Sequence, residues 1–401
     1  MEDWQKPVHT VQDMRKRRIY IAVLVVFIAI SALIALKVQF DYHHDHEGIF
    51  IFKGQNGAWL KIGDDLFPEE SQLLLWGKSL NQLKSVESNG VCGSSNKPCT
   101  YYEWNTAAGR GFIKTTYPDG RKLVFNLGRF LDSDKFPVSG LFIGGGLPPG
   151  DPDFKLFDKN ETGMAYYDGR RYYHIWCNVN EGFIDAANMP IYPSRWEFIS
   201  SKVLESSAND VTIVSRHRVL INNVPVTVER FLFYQNGDTF VTLVTNIKNI
   251  GSSPTLFSYL YGDEPWIGDY GSSAGNVGWL DGRLVLTEME FDASRYTYAG
   301  MFDYGNPLAG ENHEFYTGKA NFIEWRPESK PDLAYFSNGF GKIAPAEQKV
   351  PLSSPDNRVI VLQWGARTLN PGQTFSFTIT VGMANNDPKT GLPVKPDTHL
   401  Y

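Results

Sequence analysis

Residues 226–247 read VTVERFLFYQNGDTFVTLVTNI, and this stretch decides the fold. Two runs rich in Val, Thr and aromatic residues flank Gln235-Asn236-Gly237-Asp238. Asn-Gly is the strongest short signal for a β-hairpin, because both residues tolerate the positive φ angles of the turn. The stretch therefore predicts two long antiparallel strands.

The same pattern continues on both sides of this hairpin. Short runs of Val, Ile, Phe, Tyr and Thr recur between Gly, Pro, Asn and Asp, and helical periodicity is almost absent after residue 37. A second hairpin is predicted about Pro118-Asp119-Gly120. No internal repeat of about 20–50 residues is present, which disfavours a propeller or solenoid. The sequence predicts an all-β fold, a large antiparallel β-sandwich, with further strands over residues 48–53, 171–179, 211–221, 255–261, 283–291, 359–364 and 374–383.

The N-terminal segment predicts a membrane anchor. Residues 19–36 read IYIAVLVVFIAISALIAL and follow the basic cluster Arg15-Lys16-Arg17-Arg18. Eighteen residues at helical rise cover about 27 Å, close to a hydrocarbon core of roughly 30 Å. The basic cluster indicates a cytoplasmic N-terminus. A cleaved signal peptide is the alternative, but its apolar region spans only about 7–15 residues, and Ala35-Leu36-Lys37 is a poor cleavage site.

The predicted organisation has five parts. These are a cytoplasmic tail (1–18), a transmembrane anchor (19–38), a stalk (39–47), a β-domain (48–390) and a C-terminal tail (391–401). The β-domain is expected to be extracytoplasmic, either periplasmic or extracellular, in a single-pass membrane protein. The chain has a net charge of −6 and its first eighteen residues carry five basic and three acidic side chains, so the external part carries about −8. This charge argues against nucleic acid or an anionic lipid surface as its partner.

The cysteines and histidines predict a disulfide and no metal or cofactor site. Cys92 and Cys99 flank Gly-Ser-Ser-Asn-Lys-Pro, a spacing that suits a disulfide in an oxidising compartment, and further zinc ligands are missing nearby. Cys177 lies in an apolar and aromatic stretch and is expected to be a buried thiol. The histidine-rich residues 43–47 lie on the stalk, where we expect only adventitious metal binding.

Three segments resemble galactose-mutarotase-like supersandwich domains. They are residues 226–247, residues 257–266 (FSYLYGDEPW) and residues 369–384 (LNPGQTFSFTITVGMA). The third is similar in particular to the last strand pair of the domains that precede the helical barrel of glycoside phosphorylases. The resemblance implies a β-supersandwich and a carbohydrate ligand. Phosphorylases carry their catalytic acid in the following barrel, for which this chain leaves no room after residue 384, and this favours binding over glycosidic cleavage.

The best candidate site is the loop at residues 263–270, which reads DEPWIGDY. It contains three carboxylates, which can pair with sugar hydroxyls, and two aromatic rings, on which sugar C–H faces can stack. The predicted ligand-binding residues are Asp263, Glu264, Trp266, Asp269, Tyr270 and Arg230. A calcium site and a solvated loop without a ligand stay open as alternatives.

Weak catalytic candidates are His217, His174 and Glu264. His217 shares a predicted strand face with Ile213, Ser215 and Val219, where it could protonate a ring oxygen. His174 lies among Tyr172, Tyr173 and Trp176, a composition typical of a sugar platform and equally of a packed core. For Arg230 a salt bridge is the commoner outcome.

The sequence therefore predicts a membrane-anchored, extracytoplasmic carbohydrate-binding protein. A sugar epimerase or polysaccharide lyase on the same fold is one alternative, which a His paired with a carboxylate across one sheet face would favour. A non-catalytic interaction subunit of an envelope assembly is the other, which an exposed apolar patch would favour. No nucleophile elbow, zinc-protease helix or dinucleotide-binding loop is present in the sequence.

Overall fold

A computed structural model gives the fold of the chain. It describes residues 50–54, 57–62, 65–68, 86–90, 96–106, 109–127, 163–177, 179–206, 210–268, 273–305, 316–339, 341, 343–352 and 358–398. The predicted anchor, the histidine-rich stalk, Cys92, Asp269 and Tyr270 lie outside these ranges. Within them, no helix has both the length and the apolar character needed to span a bilayer.

The described residues are almost entirely β-structure. They contain three short 3-10 helices, at Pro193–Arg195, Pro327–Ser329 and Glu347–Lys349. The described strands are β1 (Phe50–Gly54), β2 (Gly57–Ile62), β3 (Asp65–Pro68), β4 (Val86–Gly90), β5 (Cys99–Asn105), β6 (Arg110–Thr116), β7 (Lys122–Leu127), β8 (Gly163–Tyr167), β9 (Tyr172–Cys177), β10 (Val179–Asp185), β11 (Pro190–Ile191), β12 (Glu197–Ser206), β13 (Asp210–Ile221), β14 (Val224–Gln235), β15 (Phe240–Asn249), β16 (Thr255–Asp263), β17 (Asn276–Leu280), β18 (Arg283–Val285), β19 (Met289–Glu290), β20 (Tyr298–Asp303), β21 (Asn321–Trp325), β22 (Leu333–Ser337), β23 (Val359–Leu369), β24 (Thr374–Met383), β25 (Asn385–Asn386) and β26 (Pro393–Val394).

The chain divides into two compact units, Met1–Leu66 and Phe67–Tyr401. In the first, β1 and β2 pair antiparallel, and β3 follows at the boundary. The second contains one nine-stranded sheet (β12-β13-β14-β15-β24-β21-β20-β17-β18) and two six-stranded sheets (β11-β10-β16-β23-β22-β19 and β4-β5-β6-β7-β8-β9). The predicted all-β, antiparallel class is confirmed, whereas the predicted domain boundaries stay predictions.

Both predicted hairpins are confirmed. In the first, β14 and β15 pair from Val226↔Asn249 to Phe233↔Thr242, and Gly237 in the turn has a φ of 95°. Side chains of β14 alternate strictly between buried and half-buried. In the second, β6 and β7 pair across residues 117–121, where the Gly120 N–H donates to the Tyr117 carbonyl.

Two predicted strands are wrong in extent, because the chain changes sheets within them. The prediction over 171–179 joins the end of β9 to the start of β10, which belong to different six-stranded sheets. The prediction over 283–291 joins β18 to β19, again in different sheets, and Thr287 between them bridges to Pro351. A continuous apolar and β-branched run does not reveal such a change, since residues in both sheets obey the same alternation.

The core lies between the nine-stranded sheet and the two six-stranded sheets. Phe377 of β24 stacks on Trp364 of β23 with ring centroids 4.1 Å apart, and it also contacts Tyr259 of β16 at 5.2 Å. At another part of the same sheet, Tyr234 of β14 contacts Phe125 of β7 at 5.6 Å. Large aromatic side chains thus join the layers of a β-sandwich, and each buries enough apolar area to contribute about 1.5–3 kcal/mol.

Candidate functional site

The acidic-aromatic loop packs against the strand that carries His174. After β16 the chain continues through Glu264, Trp266 and Gly268, and Gly268 forms an antiparallel bridge with His174 of β9. The Gly268 N–H donates to the His174 carbonyl at 3.0 Å, and the His174 N–H donates back at 3.3 Å. The structure therefore brings together two candidate elements that the sequence analysis treated separately.

Asp303, at the end of β20, lies against this junction. Its Oδ2 accepts a hydrogen bond of 2.8 Å from the Thr317 N–H. Gly268 and Gly275 have φ values of 95° and 82°, and a Cβ at either position would lie 2.5 or 2.8 Å from an Asp303 carboxylate oxygen. Only glycine allows such a close approach at positive φ, so the backbone at Gly268 and Gly275 can pack directly against the Asp303 carboxylate.

Two further buried polar residues support the same loop. Asn276 accepts from the Ile267 N–H at 2.9 Å and donates to the Ile267 carbonyl at 3.1 Å. Arg358 is fully buried and donates through Nη1 to the Asn276 carbonyl at 2.7 Å. Burial lowers the pKa of Arg358 to about 10, while the nearby Asp303 carboxylate acts to raise it. We call His174, Glu264, Trp266, Asp303 and Arg358 the junction site.

Trp266 is the part of the junction site that is accessible to a ligand. Its side chain is half-buried, and its indole N–H donates to Glu264 Oε1 at 2.8 Å. Glu264 itself is only 5% exposed. Trp266 has a φ of 42°, an uncommon conformation for a bulky residue that the surrounding contacts must hold in place. The ring is therefore presented in one orientation beside a carboxylate.

His174 is buried and uncharged at neutral pH. Its side chain is 0% exposed, and burial lowers its pKa to about 4. An imidazole with such a pKa is in its neutral form near pH 7 and lacks the acidic proton of the imidazolium, so His174 is poorly matched to general acid catalysis there. Its contribution to the junction site is the backbone bridge to Gly268 and the packing of its ring.

His217 and Arg230 lie inside the sandwich, away from the loop. His217 shares the buried face of β13 with Ile213, Ser215 and Val219, as predicted, and is 2% exposed. The Trp196 and Phe198 rings meet its imidazole edge-on, with centroids at 6.2 and 5.4 Å. Arg230 is 1% exposed and forms the salt bridge named as its commoner outcome, to Glu181 at 2.7 Å.

The remaining predicted residues are only partly described. Asp263 ends β16, Asp269 and Tyr270 lie outside the described ranges, and the calcium alternative therefore stays open. In the described part of the chain, no group of three or more His, Cys, Asp or Glu side chains is arranged to hold a metal ion. Sequence reasoning missed Asp303 and Arg358. The sequence signal that could have found them is a charged residue at the end of an apolar strand: Asp303 ends β20, and Arg358 directly precedes β23.

Comparisons with known proteins concern the fold. No family model and no curated protein matches the sequence. The structure is similar to a putative aldose 1-epimerase from Klebsiella pneumoniae, with 11% identity, a TM-score of 0.41, and coverage of 77% of this chain and 90% of that one. It is also similar to a galactose mutarotase-like protein from Clostridium acetobutylicum, with 10% identity, a TM-score of 0.34, and coverage of 76% and 100%.

An aldose epimerase homologue from C. elegans matches in the same way, with 11% identity, a TM-score of 0.32, and coverage of 74% of this chain and 99% of that one. These proteins are of the galactose-mutarotase-like kind that the three sequence segments resemble. The chemistry of the junction site is argued from its own residues alone.

Proposed function

We propose that this chain is a carbohydrate-binding protein whose sugar site is the junction site. The observation that carries the proposal is the pairing of Trp266 with Glu264: a half-buried indole ring held by a 2.8 Å hydrogen bond to a nearly buried carboxylate. Sugars present flat C–H faces that stack on aromatic rings and hydroxyls that donate to carboxylates. A ring and a carboxylate already locked together lose little conformational entropy when a ligand binds.

The proposal includes the placement expected from the sequence. The N-terminal segment anchors the chain in a membrane, and the β-domain with the junction site lies on the extracytoplasmic side. This placement rests on the uncharged run at residues 19–36 and the basic cluster before it.

Binding is favoured over epimerase or lyase chemistry by the state of the two histidines. His174 has a pKa of about 4, and His217 is enclosed by two aromatic rings. An imidazole that is fully buried and neutral near pH 7, as in His174, is a poor general acid for a sugar ring oxygen.

An interaction subunit is a second candidate, supported by a different surface. Met189 and Leu220 are each 60% exposed and line a groove of about 780 Å³ together with Arg195, Glu197 and Arg218. Exposed apolar side chains within a polar rim are typical of protein-binding surfaces.

A glycan array with the full-length protein in neutral lipid nanodiscs tests the proposal. We expect binding to a restricted set of glycans and loss of that binding in Trp266→Ala. Binding to none of the glycans, with the variant and the wild type alike, would overturn the proposal and leave the groove at Leu220 as the functional surface.

A further inference from the structure

A cluster of cations gathers around two tyrosine rings of the hairpin formed by β8 and β9. We call Arg121, Tyr166, Arg171, Tyr173 and Lys319 the tyrosine–cation patch. Lys319 lies two residues after Thr317, whose N–H donates to Asp303, and Tyr173 directly precedes His174. The patch and the junction site therefore share β9 and are linked by the hydrogen bond between Thr317 and Asp303.

The two tyrosine rings hold the three cations together. The Lys319 ammonium lies 5.1 Å from the Tyr166 ring centroid and 5.0 Å from that of Tyr173, and the two rings are 6.5 Å apart. The Arg171 guanidinium lies 4.6 Å from the Tyr173 ring. The three distances from a cation to a ring centroid are within the range of about 6 Å at which a cation is attracted to an aromatic face. Arg121 joins from the other side, donating to the Tyr166 hydroxyl at 3.4 Å.

The carboxylates of this region are already engaged. Asp168 accepts from the backbone N–H groups of Arg170 and Arg171 at 2.8 and 3.0 Å and from the Tyr173 hydroxyl at 2.8 Å. These bonds close the turn between β8 and β9. Asp119 forms an ion pair with Arg121 at 2.5 Å, at an exposed position. Both of these carboxylates, among the residues that the structure describes, are thus held by contacts of their own.

Lys319 is the cation with the most to gain from an anionic ligand. Burial lowers its pKa, the neighbouring Arg121 and Arg171 lower it further, and only Asp168 acts in the opposite direction. Among the described residues the Lys319 ammonium contacts two rings and forms no ion pair. A partly dehydrated ammonium crowded by guanidinium groups is stabilised when an anion binds beside it.

We propose that the tyrosine–cation patch binds the anionic group of an acidic saccharide, a carboxylate or a sulfate. The inference rests on the proposed sugar site, since the patch adjoins it through the segment from Thr317 to Lys319. The inference specifies that the ligand is negatively charged: the junction site binds the sugar ring, and the tyrosine–cation patch binds its acidic substituent. A chain with a net charge of −6 then selects acidic sugars locally, against its overall charge.

Calorimetric titration of the full-length protein in phosphatidylcholine nanodiscs tests this inference. The probes are tetragalacturonate, its methyl-esterified neutral counterpart and a sulfated galactotetraose. We expect the wild type to bind one acidic probe more tightly than the neutral one. Lys319→Met should lower the affinity for that acidic probe about tenfold, as the loss of one charge-assisted contact does. The probe that responds identifies carboxylate or sulfate as the group recognised.

Lys248→Met is the matched control, because Lys248 is an exposed lysine at the far end of β15. We expect it to bind as the wild type does, with both variants melting at the wild-type temperature. The inference is overturned if Lys319→Met binds the acidic probes as tightly as the wild type does. It is also overturned if Lys248→Met lowers the affinity for these probes as much as Lys319→Met does. Preferential binding to vesicles containing phosphatidylglycerol would also overturn it, in favour of a lipid surface.

The titration separates this inference from the proposed function. If the neutral probe binds and Trp266→Ala abolishes that binding, while Lys319→Met changes nothing, only the inference about charge fails. If no saccharide binds to the wild type, the proposed function fails with it.

Discussion

Arg230 and Glu181, 49 residues apart in the chain, meet inside the sandwich as a bidentate ion pair with two N–O distances of 2.7 Å. Both side chains are at most 1% exposed. The Tyr259 hydroxyl joins them, donating to Glu181 at 2.9 Å. Burial acts to lower the pKa of Arg230, but the Glu181 carboxylate and the Tyr259 hydroxyl outweigh burial and raise it, so the guanidinium stays charged. The nine-stranded sheet and the sheet of β10 and β16 are joined by this polar network.

Breaking this pair should destabilise the fold strongly. Arg230→Met leaves Glu181 buried without its partner, and we expect the free energy of unfolding to fall by about 3–5 kcal/mol. The double variant Arg230→Met/Glu181→Leu should recover much of that loss. Denaturant unfolding measures both. As a control, Arg218→Gln breaks an ion pair whose side chains are 46% and 56% exposed, and it should cost under about 1 kcal/mol. Equal losses for Arg218→Gln and Arg230→Met would contradict the buried network.

His174 should make the fold sensitive to mild acid. Its pKa is about 4 in the folded chain against an ordinary value of 6.5. Between these values the unfolded chain binds more protons, so the free energy of unfolding falls as the pH drops from 6.5 towards 4, by at most about 3 kcal/mol. Denaturant unfolding across this window should show a flatter pH dependence for His174→Gln than for the wild type. If the free energy of unfolding varied with pH in the same way for both proteins, the pKa of His174 would not be lowered in the folded chain.

Trp266 should contribute to sugar affinity through its ring. Trp266→Ala should lose about 1–3 kcal/mol of binding free energy, a magnitude taken from aromatic stacking on nucleic-acid bases. Trp266→Phe keeps a stacking face but not the hydrogen bond to Glu264, so it should retain more affinity than Trp266→Ala. Titration with a glycan identified on the array measures both. A large fall in melting temperature with unchanged affinity would instead identify Trp266 as a core residue.

Cys92 and Cys99 should form a disulfide in the mature protein. Cys92 lies outside the described residues, so the pairing stays a prediction. A loop of this size stabilises the fold by roughly 2–3 kcal/mol in the chain-entropy estimate. Thiol labelling of denatured, unreduced protein should modify only Cys177, and labelling after reduction should modify all three cysteines. Three labelled cysteines before reduction would exclude the bridge.

The N-terminal segment should remain attached and span the membrane with the β-domain outside. Protease added to intact spheroplasts should then degrade the β-domain while the first eighteen residues stay protected. Lysed spheroplasts provide the control, since both parts should be degraded there. Release of the β-domain at reduced mass into the soluble fraction would show a cleaved signal peptide.

Much of the fold could be predicted from local pattern. The Asn236-Gly237 turn between two runs rich in Val, Thr and aromatic residues specifies the hairpin that the structure shows as β14 and β15. The strand predicted over 374–383 is observed with the same bounds as β24. These elements are set by contacts between neighbours in sequence and by backbone conformations that few residues adopt, so a single sequence reveals them.

The candidate site could be predicted only in part. The loop with Glu264 and Trp266 was found from its composition, and the structure adds the hydrogen bond that orients the ring. Asp303, Arg358 and Lys319 could not be assigned to it, because each lies at a strand end or in a connection whose neighbours come from distant parts of the chain. His217 and Arg230 sit on the predicted strand face, but that face proved to be the sandwich interior.

The sequence by itself determined the all-β class, the two hairpins, the alternation of buried and exposed faces, and the uncharged N-terminal run. Each follows from residue type and spacing over a short span. Only the tertiary structure decided which sheet each strand joins and where the chain changes sheets after β9 and β18. It also decided that Gly268, in the loop of Glu264 and Trp266, bridges to His174. Such choices depend on side chains from distant segments competing for one buried space, and no local pattern records the outcome.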